Sequence, residues 1–238
     1  RARHRSRAQP RMTILWALAR AEEVPEGDAW LGPRERSVQE ALRIPKRRSD
    51  WRMGRLAAKR LLTDLVGVHA FHRIQVVAAD DGAPEAFVDG LPLDVSLSIS
   101  HRGDLAVAAT RRGGRVGCDL ERVEPRTARF IGDYFTKSER EAIDRAEPSL
   151  RVRQVALTWS AKESALKALR VGLRRDTRRV EVAFAEPGAK GDVWSDLVVT
   201  LSPENRSLRG RWRQLGGSVL TIVEDPTPSD VARHDEER

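Results

Sequence analysis

Two side chains in one predicted helix have the chemistry needed for phosphoryl transfer. Residues 159–167 lack glycine and proline and are rich in helix-forming residues, so they predict a helix. Glu163 and Lys167 are four residues apart and therefore share one helix face. The carboxylate could hold a cation or accept a proton, and the ammonium could neutralise a departing phosphate. The residues also fit a structural alternative, a capping box of Ser160 with Glu163 and an exposed ion pair.

A second acidic group precedes this helix in the sequence. The residues around Val116 alternate in polarity and predict a strand, on which Asp119 and Glu121 point the same way while Cys118 and Leu120 point the other way. We expect Gly117 to leave space beside the two carboxylates. Together with Glu163, they would form an oxygen-rich site of the kind that suits Mg²⁺.

These two motifs carry a family resemblance. The first is Gly117-x-Asp119-x-Glu121, and the second is Trp159-Ser160-x-Lys162-Glu163-Ser164-x-x-Lys167. Their order and spacing resemble the paired signature of the 4′-phosphopantetheinyl transferases. Residues 98–101 and 135–139 resemble its surfactin-synthetase-activating (Sfp-like) branch. The resemblance runs from about Lys46 to Asp225.

The resemblance implies an enzyme that transfers 4′-phosphopantetheine from coenzyme A to a serine of an apo acyl or peptidyl carrier protein. It implies that Mg²⁺ is held by Asp119, Glu121 and Glu163. Glu163 and Lys167 would be the catalytic residues, with Glu163 accepting the serine proton directly or through water. The residues implied in coenzyme A binding are Arg47, Arg48, Arg55, Lys59, Ser100, His101 and Lys167. Ala83 stands where the family often has a lysine.

Charge leaves a second function class open. The 238 residues include 43 basic and 35 acidic side chains, a net charge of +8, which favours polyanionic partners. Coenzyme A and acidic carrier proteins are such partners, but so is nucleic acid. A basic nucleic-acid-binding protein without catalysis is therefore the alternative. The low aromatic content of 5% and the absence of a recognised binding motif argue against nucleic acid.

The pattern of helices and strands predicts an α+β fold of two similar subdomains. Each would be a helix packed on a small antiparallel sheet, with a pseudo-twofold relation and the active site in the cleft between. A weak repeat supports this, since residues 55–62 before Gly67 resemble residues 161–169 before Gly172. The expected divisions are a basic arm (1–12), two α+β subdomains (13–115 and 116–223) and a polar tail (224–238) that we expect to be disordered. Residues 87–93 predict a loop, and Thr136 with Glu139 predicts a helix start.

The remaining expectations concern location and assembly. Cys118 is the only cysteine and cannot form an internal disulfide, which fits a reducing cytoplasm. No apolar run reaches the roughly 18–20 residues that a membrane span requires, so we expect no membrane partner. We expect a monomer, because two internal subdomains would form the cleft without a second subunit.

Overall fold

The computed structural model describes residues 14–185 and 194–226. Short polar and glycine-containing segments separate its regular elements, as the periodicity of the sequence predicts. The helices are α1 (Pro33–Ala41), α2 (Pro45–Val66), α3 (Ala128–Tyr134), α4 (Lys137–Arg145) and α5 (Pro148–Ala168). The strands are β1 (Leu15–Arg20), β2 (Ile74–Ala78), β3 (Pro84–Val88), β4 (Leu91–Pro92), β5 (Ser96–Arg102), β6 (Leu105–Arg111), β7 (Arg115–Arg122), β8 (Val180–Phe184), β9 (Ser195–Leu201), β10 (Arg206–Leu215) and β11 (Ser218–Asp225).

Two long helices each cover an antiparallel sheet. The first half contains the sheet β1-β6-β5 and a small sheet β2-β3-β4, and α2 packs against strands of both. The second half contains the sheet β7-β11-β10-β9-β8, and α5 packs against β7 and β11. In both halves the first strand pairs with the last, and the last pairs with the one before it. This shared order of pairing supports the proposed division into two similar subdomains.

A buried lysine–glutamate pair holds the frame of each half. Lys59 of α2 lies 2.6 Å from Glu35, and Lys162 of α5 lies 2.8 Å from Glu139. Both lysines are fully buried. In the first half the lysine donates to Phe71 O and Ile74 O, and the glutamate accepts from Val76 N. In the second half the lysine donates to Thr177 O and Val180 O, and the glutamate accepts from Val182 N. Each of these partners recurs 106 residues later (71 to 177, 74 to 180, 76 to 182), which strengthens the faint sequence repeat.

The two halves meet at a buried seam between β5–β6 and β7. Val107 and Ala109 of β6 pack against Cys118 and Leu120 of β7, which confirms that these β7 side chains face away from the acidic residues. Beside this core, the serine hydroxyls of β5 accept hydrogen bonds from β7 backbone N–H groups. The three bonds are Val116 N to Ser96 Oγ (3.0 Å), Cys118 N to Ser98 Oγ (3.0 Å) and Leu120 N to Ser100 Oγ (3.3 Å). Serine side chains therefore replace backbone pairing along the seam.

The α+β class is confirmed, and two local predictions are wrong. Residues 87–93 include the end of β3 and all of β4, because Asp89 and Gly90 both adopt positive φ and form the tight turn of a hairpin. The predicted tail begins too early, since Glu224 and Asp225 belong to β11. The basic arm 1–12 and the rest of the tail from residue 227 lie outside the described residues. Within the described ranges, no helix combines the length and apolarity that crossing a membrane requires.

Candidate active site

The close approach of α5 to β7 brings the two sequence motifs together. A Cβ on Gly117 would lie 1.9 Å from Ser164 O and 2.6 Å from Ala168 N, so the helix backbone fills the space beside this glycine. The expectation that Gly117 leaves room for the carboxylates is therefore wrong. Its missing side chain lets α5 lie directly on β7, and that contact sets Glu163 and Lys167 beside Asp119.

The capping-box alternative for Ser160 is also excluded. Ser160 lies in the middle of α5 and is fully buried. Its hydroxyl donates to Asp119 O at 3.2 Å and shares a hydrogen bond with Thr221 at 2.9 Å. By contrast, Thr136 and Glu139 do form the predicted capping box at the start of α4. Ser160 thus fastens the helix to the strand instead of starting the helix.

Lys167 lies at the centre of the charged cluster. Its Nζ is 2.6 Å from Asp119 Oδ1 and 3.7 Å from Glu163 Oε2, and it donates to Cys118 O at 3.2 Å. Burial by itself lowers the pKa of Lys167, but the attraction of Asp119 and Glu163 outweighs it, and the pKa lies above its usual value. The ammonium is therefore charged at neutral pH and available to a developing anion.

Burial makes two of the carboxylates more basic than usual. It raises the pKa of Glu163, and the negative charge of Asp119 raises it further. The same two causes, in the same order, raise the pKa of Glu121. Glu121 also accepts a hydrogen bond of 2.8 Å from Arg126, and Arg102 lies 3.7 Å away. Glu163 is thus the carboxylate better suited to accept a proton.

Asp119 provides the strongest indication of a cation. Its Oδ1 accepts from Lys167 and from Ser100, whereas its buried Oδ2 has no hydrogen-bond partner among the described residues. Such an oxygen fits a hard divalent ion. Nevertheless, within residues 14–185 and 194–226, no three His, Cys, Asp or Glu side chains are gathered tightly enough to form a ready-made metal site. The donor chemistry fits Mg²⁺, while the three-carboxylate set stays a proposal.

Ser100 acts on the carboxylate instead of lining a nucleotide site. It is buried, donates to Asp119 Oδ1 at 2.8 Å and accepts from Leu120 N at 3.3 Å. Both bonds bind it to β7, so the predicted role in gripping coenzyme A is not supported. The hydroxyl orients Asp119.

A cavity of about 530 Å³ lies on the face of β5 opposite Ser100, where Ile99 and His101 line it. Arg47, Arg55 and His101 line it, together with Asp50 and Trp51. Three of the basic residues predicted from the sequence are therefore placed around one cavity. His101 follows Ser100 directly on β5, which connects this cavity to the acidic cluster.

The cavity cations differ in character. The Arg55 guanidinium lies 4.6 Å from the centre of the Trp51 ring and donates to Val76 O at 2.8 Å. Burial lowers the pKa of Arg55 to about 10, which leaves it charged at neutral pH. Burial also lowers the pKa of His101, although Asp50 Oδ2, 4.0 Å from its Nδ1, favours the charged form. The imidazole of His101 is therefore largely uncharged at neutral pH.

Lys59 and Arg48 lie away from this cavity, against expectation. Lys59 is buried, forms an ion pair with Glu35, and donates to three backbone carbonyls of the first half of the chain. Arg48 donates twice to Leu42 O, at 3.1 and 2.8 Å, and so fastens the end of α1. Asp50, Trp51 and Arg126 are site residues that the sequence reasoning missed. The spacing of four between Lys46 and Asp50 predicts their ion pair of 2.8 Å, but it does not place Asp50 at the cavity.

Comparisons with known proteins give one consistent family. Residues 34–111 match the profile of the 4′-phosphopantetheinyl transferase N-terminal domain, and residues 115–196 match that of the 4′-phosphopantetheinyl transferase superfamily. The two profiles follow one another along the chain and cover most of it. They meet near the seam, where β6 gives way to β7. The comparisons do not support the nucleic-acid-binding alternative.

Individual relatives carry related names. L-aminoadipate-semialdehyde dehydrogenase-phosphopantetheinyl transferase of Eremothecium gossypii is 30% identical over 57% of this chain and 51% of its own length. 4′-phosphopantetheinyl transferase AcpT of Escherichia coli K12 is 28% identical over 51% of this chain and 57% of its own length. The chain thus spans about half the length of the curated relatives it matches. A holo-[acyl-carrier-protein] synthase from Thermotoga maritima matches with a TM-score of 0.34 and 21% identity, over 50% of this chain and 71% of that one.

Proposed function

We propose that this chain, which belongs to the 4′-phosphopantetheinyl transferase superfamily, is a holo-[carrier protein] synthase. It would transfer 4′-phosphopantetheine from coenzyme A to a serine of an apo acyl or peptidyl carrier protein, releasing 3′,5′-ADP. One observation carries this proposal. Buried Asp119, with the half-buried Lys167 and Glu163, forms a charged cluster that adjoins a basic cavity through Ser100 and His101, two consecutive residues of β5.

The cavity would hold the nucleotide end of coenzyme A. Arg47 and Arg55 would supply fixed positive charge to its phosphates. His101 would donate a hydrogen bond, and an arriving phosphate would favour its protonation. Because these residues would contact the nucleotide end of coenzyme A and not the phosphorus that reacts, they would position the donor and would not take part in bond making.

The acidic cluster would hold Mg²⁺ through Asp119, Glu121 and Glu163. When bound, this ion would offset the negative charge of the pyrophosphate. The unpartnered Oδ2 of Asp119 is the oxygen that supports this proposal most directly. Glu121 would have to share its carboxylate between the ion and Arg126.

Proton transfer and departure of the nucleotide would use α5. The carrier serine oxygen forms a bond to the β-phosphorus of coenzyme A, and the bond from that phosphorus to the bridging oxygen of 3′,5′-ADP breaks. Glu163 takes the serine proton, directly or through water, and its raised pKa makes it a stronger base. Lys167 stabilises the negative charge that collects on the departing 3′,5′-ADP.

Mass spectrometry of an apo carrier protein incubated with this protein, coenzyme A and Mg²⁺ tests the reaction. The expected result is a gain of one phosphopantetheine mass and release of 3′,5′-ADP. Glu163→Gln and Lys167→Ala should each slow transfer by roughly 100-fold or more while the protein still folds. An unmodified carrier protein, across several acyl and peptidyl carriers, would refute the proposal.

The chain offers a matched control for these two substitutions. Lys137 and Glu141 of α4 are also four residues apart and also 3.7 Å from each other, but both are largely exposed. Lys137→Ala and Glu141→Gln should transfer at the native rate. An equal loss in this control pair would mean that the assay reports general damage.

Three finer assignments belong to the same proposal. Membership of the Sfp-like branch is supported by residues 98–101 and 135–139. A monomer is supported by the presence of both halves of the site in one chain. A cytoplasmic location is supported by the single buried thiol of Cys118, which has no internal disulfide partner.

A further inference from the structure

An ion pair joins the two halves beside the cavity. Arg170 lies shortly after the end of α5, and its guanidinium donates to both carboxylate oxygens of Asp81, at 2.7 and 2.8 Å. Glu85 of β3 lies 3.6 Å from the same guanidinium. Asp81 belongs to the turn between β2 and β3, and the cavity is lined there by Gly82 of this turn and by Pro84, the first residue of β3. The pair therefore connects a cavity wall with the helix that carries Glu163 and Lys167.

The carboxylate of Asp81 also shapes the turn. Its Oδ1 accepts from Ala83 N at 3.0 Å as well as from Arg170. Within the same turn, Ala79 N donates to Ala83 O and Gly82 N donates to Ala79 O, both at 2.8 Å. Because one carboxylate serves both the turn and Arg170, movement of the guanidinium disturbs the local order of the turn.

The backbone of Arg170 is unusual for an arginine. Its φ is 57°, and the other non-glycine residues with positive φ in the described ranges are Asp89 and Asn205. Asp and Asn tolerate this left-handed region, whereas a long side chain without a local hydrogen bond finds it unfavourable. A glycine would adopt the same backbone with less strain. The forked contact with Asp81 compensates for an otherwise unfavourable residue.

We propose that Arg170 and Asp81 are positioning residues for coenzyme A, holding the β2–β3 turn (residues 79–83) against the end of α5. This inference rests on the proposed function, because it assigns the cavity to the nucleotide end of that donor. The pair fixes the distance between the cavity wall and Lys167, so the bound nucleotide meets the reactive side chains in one arrangement. The carrier protein is not positioned by this pair.

The decisive variant is Arg170→Gly, which removes the guanidinium and also removes the backbone strain. It should fold with an unchanged or slightly higher melting temperature. We expect KM for coenzyme A to rise roughly five- to tenfold, with kcat within about twofold and KM for the carrier protein unchanged. Asp81→Asn should give the same pattern, and the double variant should be no worse than either single one. The matched control is Arg73→Ala, since Arg73, just before β2, makes a similar two-bond pair (2.7 and 2.6 Å) with Asp89, just after β3.

A measurement without substrates separates this inference from the proposed function. Hydrogen exchange at Gly82 and Ala83 should be roughly tenfold faster in Arg170→Gly than in the wild type, and unchanged in Arg73→Ala. A wild type that modifies no carrier protein would refute the proposed function, while exchange would still decide whether the pair orders the turn. Native KM for coenzyme A in Arg170→Gly, or equal changes in all kinetic constants, would overturn the positioning role.

Discussion

A methyl group added at Gly117 should separate the two motifs of the site. In Gly117→Ala the new Cβ would lie 1.9 Å from Ser164 O, and the three closest atoms all belong to the backbone of α5, so no flexible side chain can move aside. Restoring an ordinary contact of about 3.5 Å requires α5 and β7 to move apart by about 1.5 Å. Glu163 and Lys167 would move with the helix, away from Asp119 on the strand.

The size of the effect follows from this displacement. Overpacking of this kind costs about 1–3 kcal/mol of stability, or roughly 2–12 °C in melting temperature for a chain of this size. Misplacement of catalytic groups by about 1 Å costs roughly 100-fold in rate, so we expect at least that loss of kcat. Thermal unfolding and the carrier-protein mass assay measure the two effects separately.

A second glycine supplies the control. Gly132 lies in α3, and a Cβ there would meet nothing within 4 Å. Gly132→Ala should therefore leave activity unchanged and stabilise the protein by about 0.5–1 kcal/mol. Native activity and native stability in Gly117→Ala would refute the contact on which the site is built.

Three further predictions concern ionisable side chains. Lys59→Met should destabilise the protein by about 3–5 kcal/mol in urea unfolding, because Glu35 would be left buried without its partner; a loss below about 1 kcal/mol would contradict the structural role. Burial raises the pKa of Cys118 from its usual 9 to about 11, so its contribution to stability is complete below pH 9 and is lost as pH rises to about 11. In unfolding experiments between pH 8 and 11, the free energy of unfolding of Cys118→Ala should lack this part of the decline. Parallel curves of unfolding free energy against pH for the variant and the wild type would contradict the prediction. Asp50→Asn should lower the pKa of His101 further in an NMR titration, because a carboxylate that favours the charged imidazole is lost; an unchanged or higher pKa would count against the contact.

The sequence predicted that Asp119, Glu163 and Lys167 come together, because their motifs have local periodicity. Alternation placed Asp119 and Cys118 on opposite faces of β7, and a spacing of four placed Glu163 and Lys167 on one face of α5. Those rules need only the geometry of a single element. They also sufficed for the α+β class and for most element positions.

The errors arose where a partner lies far away in the chain. Lys59 looks like one more cation on a basic helix, but its partner Glu35 comes from α1, and only the packed structure shows that the pair is buried. The Ser100 hydroxyl was assigned to a ligand because its acceptor, Asp119, lies on another strand. Arg170 gave no signal at all, since its partner is 89 residues distant.

The two matching lysine–glutamate pairs bear on how this fold tolerates substitution. In α5, Glu163 directly follows the frame lysine Lys162, whereas in α2 the residue after Lys59 is Arg60, which pairs with Glu23 on the surface. One shared framework thus presents the carboxylate that we propose as the base in one half and a surface ion pair in the other. Substitution at the position after the lysine can therefore change the surface that the helix presents, while the adjacent lysine continues to secure the fold.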